Sequence, residues 1–461
     1  MLVKASMPER LLNLVMPLPH KGTAMRITAT ADPHRARSGA VAQLIGTSLR
    51  PGDVDSMTRR STRATTPGTR TSTMATPTST TRTTKARRGP SAASTSGYSF
   101  EALVQAYMDC RRNKRNSTSA LLFEQRIERN LIDLHEELIS GTYQPGRSIC
   151  FVVTRPKPRE VWAADFRDRI VHHLVYNEIS PRFYARFVAT SCACIPGRGT
   201  LFAAQRLEHD VRSITHNWAR PAHYLKCDLA NFFVAIRKDV LDGQLAKHVT
   251  DAWWLGLTRI VLHHDPRQDV ELRCEAALLR LVPPHKSLFN APVGVGLPIG
   301  NLSSQFFANV YLDALDQHIK HQLKGRRYVR YVDDFVLLHE DPQWLNAALA
   351  DITGWLPQHL GAHLNPRKTV LQPVARGIDF VGHVIKPWRR LTRPGTVARG
   401  IARIQAMPAQ DVFTSANSYF GLLRQASHSH ADRARLANAV RHRGHCVNGA
   451  LTKSFQKGSA T

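Results

Sequence analysis

Two adjacent carboxylates interrupt an otherwise apolar strand pattern. In RRYVRYVDDFVLLHED, residues 326–341, aromatic and branched residues predict two short strands around Asp333 and Asp334. Like charges side by side in an apolar hairpin are costly unless water, a base or a metal satisfies them. The segment alone fits either a solvated acidic turn or a metal site. A third acid, Asp228, ends the apolar run HYLKC and precedes LANFFVAI. Alone it reads as a cap or turn residue. Taken together, two strand ends carrying acid beside aromatic and branched residues offer the oxygen donors that Mg²⁺ takes.

The rest of the 461 residues must supply a partner for a strongly basic surface. Lys and Arg total 63 against 35 Asp and Glu, a formal charge of +28. A long polyanion is the natural complement. An apolar fraction of 43% supports a substantial core, and the length corresponds to about three domain-sized units. No run of 18 apolar residues occurs, so no membrane span is expected. Seven cysteines, without zinc-like pairs or an even framework, read as free thiols in a reducing, cytoplasmic setting.

Composition divides the chain near residue 95. Residues 1–95 hold 15 Lys and Arg against 4 acids, and Ser56–Thr84 contains 17 Ser or Thr in 29 positions. Such a segment cannot bury enough apolar area to offset its backbone entropy. It reads as a disordered basic tail, with an over-long gene start and an organellar transit peptide as the competing readings. Folded structure is expected from about Tyr98. Two helical patterns come first, the second stopping at Gly141. A strand, a basic proline loop and a helix follow, then the two acid-bearing strand regions with helices between them. KTVLQPVARGIDFVGHVIKPW is expected to form a further hairpin, and the basic end from about Arg389 to be mainly helical. Helices segregated against a small sheet predict an α+β fold.

Asp228 with NFFVAI, GLPIGNLSSQ (296–305), YVDD (331–334), LNPRKT (364–369) and FVGHVI (380–385) occur in order. Together they resemble the palm motifs of reverse transcriptases, over roughly residues 98–441. The resemblance implies a right-hand polymerase with an antiparallel palm sheet and helical fingers and thumb. Its parts would be fingers over 96–222, palm over 223–388, and thumb with C-terminal tail over 389–461. Within that family the chain is most similar to the enzymes of diversity-generating retroelements. Ser304-Gln305 stands where most relatives have Ser-Pro, and Ile299 where they have Gln. DRIVHH, SCACIPGRGT and SYFGLLRQA carry the same likeness. Retron, group II intron and defence-associated enzymes share the palm.

The resemblance also implies roles. Asp228, Asp333 and Asp334 would hold two Mg²⁺ ions, with Mn²⁺ as a substitute. Lys368 would act as general acid or charge stabiliser for pyrophosphate, against a bland reading as a surface lysine. Arg155, Lys157 and Arg159 would meet the triphosphate, against a solvated basic loop. Phe233 would be the steric gate against a 2′-hydroxyl, with Phe232 its rival as a core aromatic. Gly296, Pro298 and Gly300 would let backbone approach the nascent base pair, and Gln305 would face the templating base. The expected activity is RNA-directed DNA synthesis from dNTPs on an RNA template with a DNA or RNA primer. A small basic accessory protein is the implied partner. A defence-associated or retron-like enzyme using its own non-coding RNA, and a non-catalytic maturase-like RNA binder, are the alternatives.

Overall fold

The computed structural model describes residues 97–112, 117–155 and 157–456, so the expected tail over 1–95 lies outside the described residues. Four strands make the central sheet: β3 (His223–Asp228), β5 (Arg327–Tyr331), β6 (Asp334–His339) and β7 (Val370–Pro373). Their order is β5-β6-β3-β7, with every pairing antiparallel. The period-2 alternation of strands divides their side chains between two cores. Leu225, Cys227, Tyr328, Phe335 and Leu337 face one layer, which includes Phe306, Phe307, Tyr311 and Leu315 of helix Leu302–Gln317 and Ile352 and Leu356 of helix Pro342–Leu360. Tyr224, Val329, Val336 and Leu338 face the other, against Ala203, Leu207 and Val211 of helix Thr200–Ile214. Burial on both faces explains why FVLL is continuously apolar.

Helix boundaries follow local chemistry. Asp341 accepts a hydrogen bond from the Gln343 amide at 2.8 Å and Pro342 opens the helix, while Gly361 ends it at φ +57°. Gly141, at φ +73°, closes helix Ile127–Ser140 as the sequence predicts.

Before the central sheet, β1 (Ser148–Val153) and β2 (Arg159–Ala163) form an antiparallel hairpin. The short strand β4 (Val270–Leu272) adds to β1 in parallel. After it, β8 (Ile378–Phe380), β9 (His383–Lys386) and β10 (Arg389–Thr392) form a meander. Helices Pro394–Ala406, Ala409–Leu423 and His430–His442 then enclose their own core around Ile404, Phe420 and Val440. The result is α+β.

One expectation needs correction. KTVLQPVARGIDFVGHVIKPW is not a single hairpin: Val370–Pro373 pairs with β3, whereas Ile378–Lys386 turns on itself at Val381 and Gly382. A short 3-10 turn at Val374–Arg376 separates the two, with Val374 buried. Local alternation reports a strand without reporting its partner. All seven cysteines are free, as their spacing predicts. Among the described residues no helix is long and apolar enough to cross a membrane.

Candidate active site

The β3–β6 register sets Asp228 directly opposite Asp334, and the β5–β6 turn places Asp333 beside them. The backbone around Asp228 is held from two sides. Its carbonyl accepts from the Asn365 amide at 2.8 Å, and the next amide, Leu229, donates to the Asp333 carbonyl at 3.3 Å. The three carboxylates thus share the floor of one cleft, which also takes Lys157, Arg159, Phe233 and Lys368.

Electrostatics at this floor are unbalanced. The Asp333 carboxyl is pushed up to about 7, first by burial and then by Asp334 and Asp228. Asp334 Oδ1 is buried without a hydrogen-bond partner in the protein. Lys368 Nζ lies 2.6 Å from both oxygens of Asp228, so an ammonium already occupies that carboxylate. Among the described residues no set of three His, Cys, Asp or Glu ligands is gathered closely enough to hold a metal ion. The donor set nevertheless fits a hard divalent cation: three carboxylates at adjoining strand ends, one with an orphaned oxygen.

Phe232 and Phe233 part company at the short helix Phe232–Ala235. Both rings line the cleft, but Phe232 is buried in the core with Tyr311 whereas Phe233 is only half-buried. The Leu297 amide donates to the Phe233 carbonyl at 2.8 Å, so the 296–300 segment fixes this aromatic from behind.

That segment packs against protein. The glycines of GLPIG approach protein here: a Cβ on Gly300 would stand 2.6 Å from the Trp162 carbonyl oxygen, and one on Gly296 2.7 Å from Leu288. Both have positive φ, +94° for Gly296 and +134° for Gly300. The Trp162 amide donates to the Ile299 carbonyl at 2.7 Å, which locks the segment to β2. Ile299 reaches the cleft; Pro298 and Gly300 are not among its lining residues. Gln305 is also outside the lining and accepts from the Cys194 thiol at 3.2 Å. Arg155 is exposed and outside it too.

The cleft also holds residues that the sequence reading passed over. Lys226 shares the face of Asp228 by strand alternation, and its Nζ donates to the Asp379 carbonyl at 2.5 Å. That period-2 signal was available. Asn365, Arg393, Glu160 and Lys286 also line the cleft. Asn365 lies in the LNPRKT motif, whereas the other three come from segments far away in sequence, which no local pattern reports.

Comparison with known proteins bears on this arrangement. No curated protein sequence matches the chain. Solved structures with a similar course include a telomerase from Candida albicans in complex with a TWJ fragment of telomeric RNA. It is 13% identical, with a TM-score of 0.41 over 70% of this chain and 60% of that one. Another is an apo telomerase from Candida tropicalis truncated from its C-terminal domain, 13% identical, with a TM-score of 0.38 over 55% and 58%. This chain therefore spans less than two thirds of either. Residues 155–385 match the family described as reverse transcriptase (RNA-dependent DNA polymerase), whose domains use divalent metal ions. That match covers half of the chain and contains all three carboxylates and Lys368, and by it the chain belongs to the reverse transcriptase family.

Proposed function

We propose that this reverse transcriptase copies an RNA template into DNA by adding deoxynucleotides to a primer 3′-end over Asp228, Asp333 and Asp334. One observation carries the reading: Asp228 faces Asp334 across β3 and β6 on the floor of a cleft walled by Lys157, Arg159 and Phe233. On this reading residues 96–222 serve as fingers, 223–388 as palm, and the helices after 389 as thumb.

The three carboxylates would hold the divalent cations, Mg²⁺ by preference and Mn²⁺ as a substitute. Bound there, such cations acidify a 3′-hydroxyl and offset charge on the triphosphate and leaving pyrophosphate. The remaining work falls to the chain. Arg159 offers a fork of N–H donors to phosphate oxygens, and Lys157 a point charge. Phe233 sets its ring where a 2′-hydroxyl would collide. Lys368 must leave Asp228 before that carboxylate can serve a cation. Once free, its Nζ–H can donate to a pyrophosphate oxygen from the same wall of the cleft.

The substrates are then dNTPs, with an RNA template and a DNA or RNA primer. Ile299 and Ser304-Gln305 favour the diversity-generating type, with a small basic accessory protein as partner. A labelled primer annealed to RNA tests the reading. Mg²⁺ and dNTPs should extend it, and chelation should stop extension. A folded protein that binds the template–primer and extends nothing under either metal would refute it.

A further inference from the structure

Lys286 stands on a loop that neither the strand pattern nor the acidic motifs single out. It ends the 3-10 turn Pro284–Lys286, and a second such turn, Leu288–Asn290, follows at once. This double turn is fastened to the β1–β2 hairpin at several points. The Leu288 amide donates to Glu160 Oε2 at 2.8 Å, and the Trp162 indole donates to the same oxygen at 3.2 Å. The Phe289 ring lies 4.7 Å from that of Trp162, and Leu288 is buried with Trp162 and Cys150. Arg267, itself paired with Asp265 at 2.7 Å, donates to the carbonyls of Leu288 at 3.3 Å and Ala291 at 2.5 Å. Glu160 is buried and adjoins Arg159, so the loop and the hairpin are one scaffold.

The scaffold sets Lys286 on the wall of the cleft with Lys157, Arg159 and Lys368. Lys286 is exposed at the cleft, and its ammonium is held below the usual lysine range first by partial desolvation and then by the charges of Lys157, Lys368 and Arg159. Asp228 is the acid that opposes this effect, and Lys368 already sits on both of its oxygens. Lys157, Arg159, Lys286 and Lys368 line one cleft and raise its positive potential, which favours an anion of several charges there.

We infer that Lys286 is a further phosphate-binding residue of the nucleotide site, contacting the triphosphate of the incoming dNTP beside Lys157 and Arg159. The inference rests on the polymerase reading given above. A lysine suits this task because its point charge can follow the phosphates as pyrophosphate leaves. The triphosphate is favoured over a backbone phosphodiester because Lys286 shares its cleft with Asp228, Asp333, Asp334 and Phe233.

Single-nucleotide incorporation on a fixed RNA–primer duplex provides the test, with Lys286→Ala and Lys286→Arg beside the parent. Lys286→Ala should raise the dNTP KM about tenfold and lower kcat far less. Its melting temperature and its Kd for the template–primer should stay at the parent values. Lys286→Arg should recover most of the KM. An unchanged dNTP KM in Lys286→Ala, with the parent active, overturns this inference and leaves the polymerase reading intact. A weakened template–primer Kd with unchanged dNTP KM overturns it in favour of a backbone contact. A parent that incorporates nothing refutes the polymerase reading, and the inference falls with it.

Discussion

Arg330 donates from its guanidinium to the carbonyl oxygen of Val332 at 3.1 Å, and so grips the turn that carries Asp333 and Asp334. Val332 needs the grip. It is β-branched and sits at φ +55°, a left-handed conformation that costs about 1–2 kcal/mol for such a residue. The other guanidinium donors are also used. They reach both oxygens of Asp316 at 2.7 and 2.6 Å, Ser191 Oγ at 2.9 Å and Asn309 Oδ1 at 3.2 Å. Tyr328 adds its hydroxyl to Asp316 at 2.6 Å. Arg330 and Asp316 are almost wholly buried, and all five N–H donors of the guanidinium are satisfied.

Breaking this pair from one side should therefore cost more than removing it. Arg330→Met leaves Asp316 buried without its cation and should destabilise the fold by about 3–5 kcal/mol. Arg330→Met combined with Asp316→Leu should recover a substantial part of that loss, because no lone charge remains. Denaturant unfolding of the parent, both single variants and the double variant measures the coupling. Additive losses would show that the two residues do not act as a pair.

Phe233→Ala should relax sugar selection. Both rings line the cleft, but Phe233 is half-buried and Phe232 is buried in the core, so the two substitutions should separate. Phe233→Ala should raise rNTP relative to dNTP use more than tenfold in kcat/KM, a change of about 1.4 kcal/mol or more. Phe232→Ala should instead lower stability by about 3–5 kcal/mol. An unchanged ribo-to-deoxy ratio in a folded, active Phe233→Ala enzyme would remove it as the gate.

Acid should weaken the fold through two buried histidines. His172 is held down to about 3, by burial first and then by the charges of His173, Arg169 and His264. His383 is held down to about 4, by burial first and only partly offset by Gln425. Unfolding frees each ring to bind a proton near pH 6.5, so the unfolded state takes up more protons below that pH. Stability from each is present above pH 6.5 and is lost as pH falls toward the folded value, by about 1–2 kcal/mol per ring at pH 5. Asp333, raised to about 7, acts in the opposite direction over the same window. The clean readout is therefore the difference between the parent and His172→Gln. The parent's advantage in unfolding free energy should shrink by about 1–2 kcal/mol between pH 7 and pH 5. A difference that stays constant would mean that His172 titrates normally.

Much of the central sheet was legible because its chemistry is local. Alternation in HYLKCD and YVDDFVLL marks strands, and the paired acids mark where two of them end. The partners of those residues were not legible. Nothing near Arg330 announces that its guanidinium is spent on Asp316, a helix residue 14 positions earlier. The glycines of GLPIG were recognised as sites of close backbone approach, but Trp162, which Gly300 approaches, lies more than a hundred residues away. Lys286 gave no signal at all, since a lysine in a proline-rich loop reads as solvated until Glu160 and Trp162 hold that loop over the cleft. Lys368 was legible as a candidate from its motif, but its seat on Asp228 was not.

The central claim is that Asp228, Asp333 and Asp334 together carry RNA-templated DNA synthesis. Asp333→Asn tests it most directly, because it keeps the shape of the turn and removes one charge. Primer extension on RNA should be measured together with melting and template–primer binding. The account predicts that incorporation falls by at least about a hundredfold, about 2.7 kcal/mol of barrier, while melting and binding stay near the parent values. Extension within about tenfold of the parent, in a variant that folds and binds normally, would contradict it.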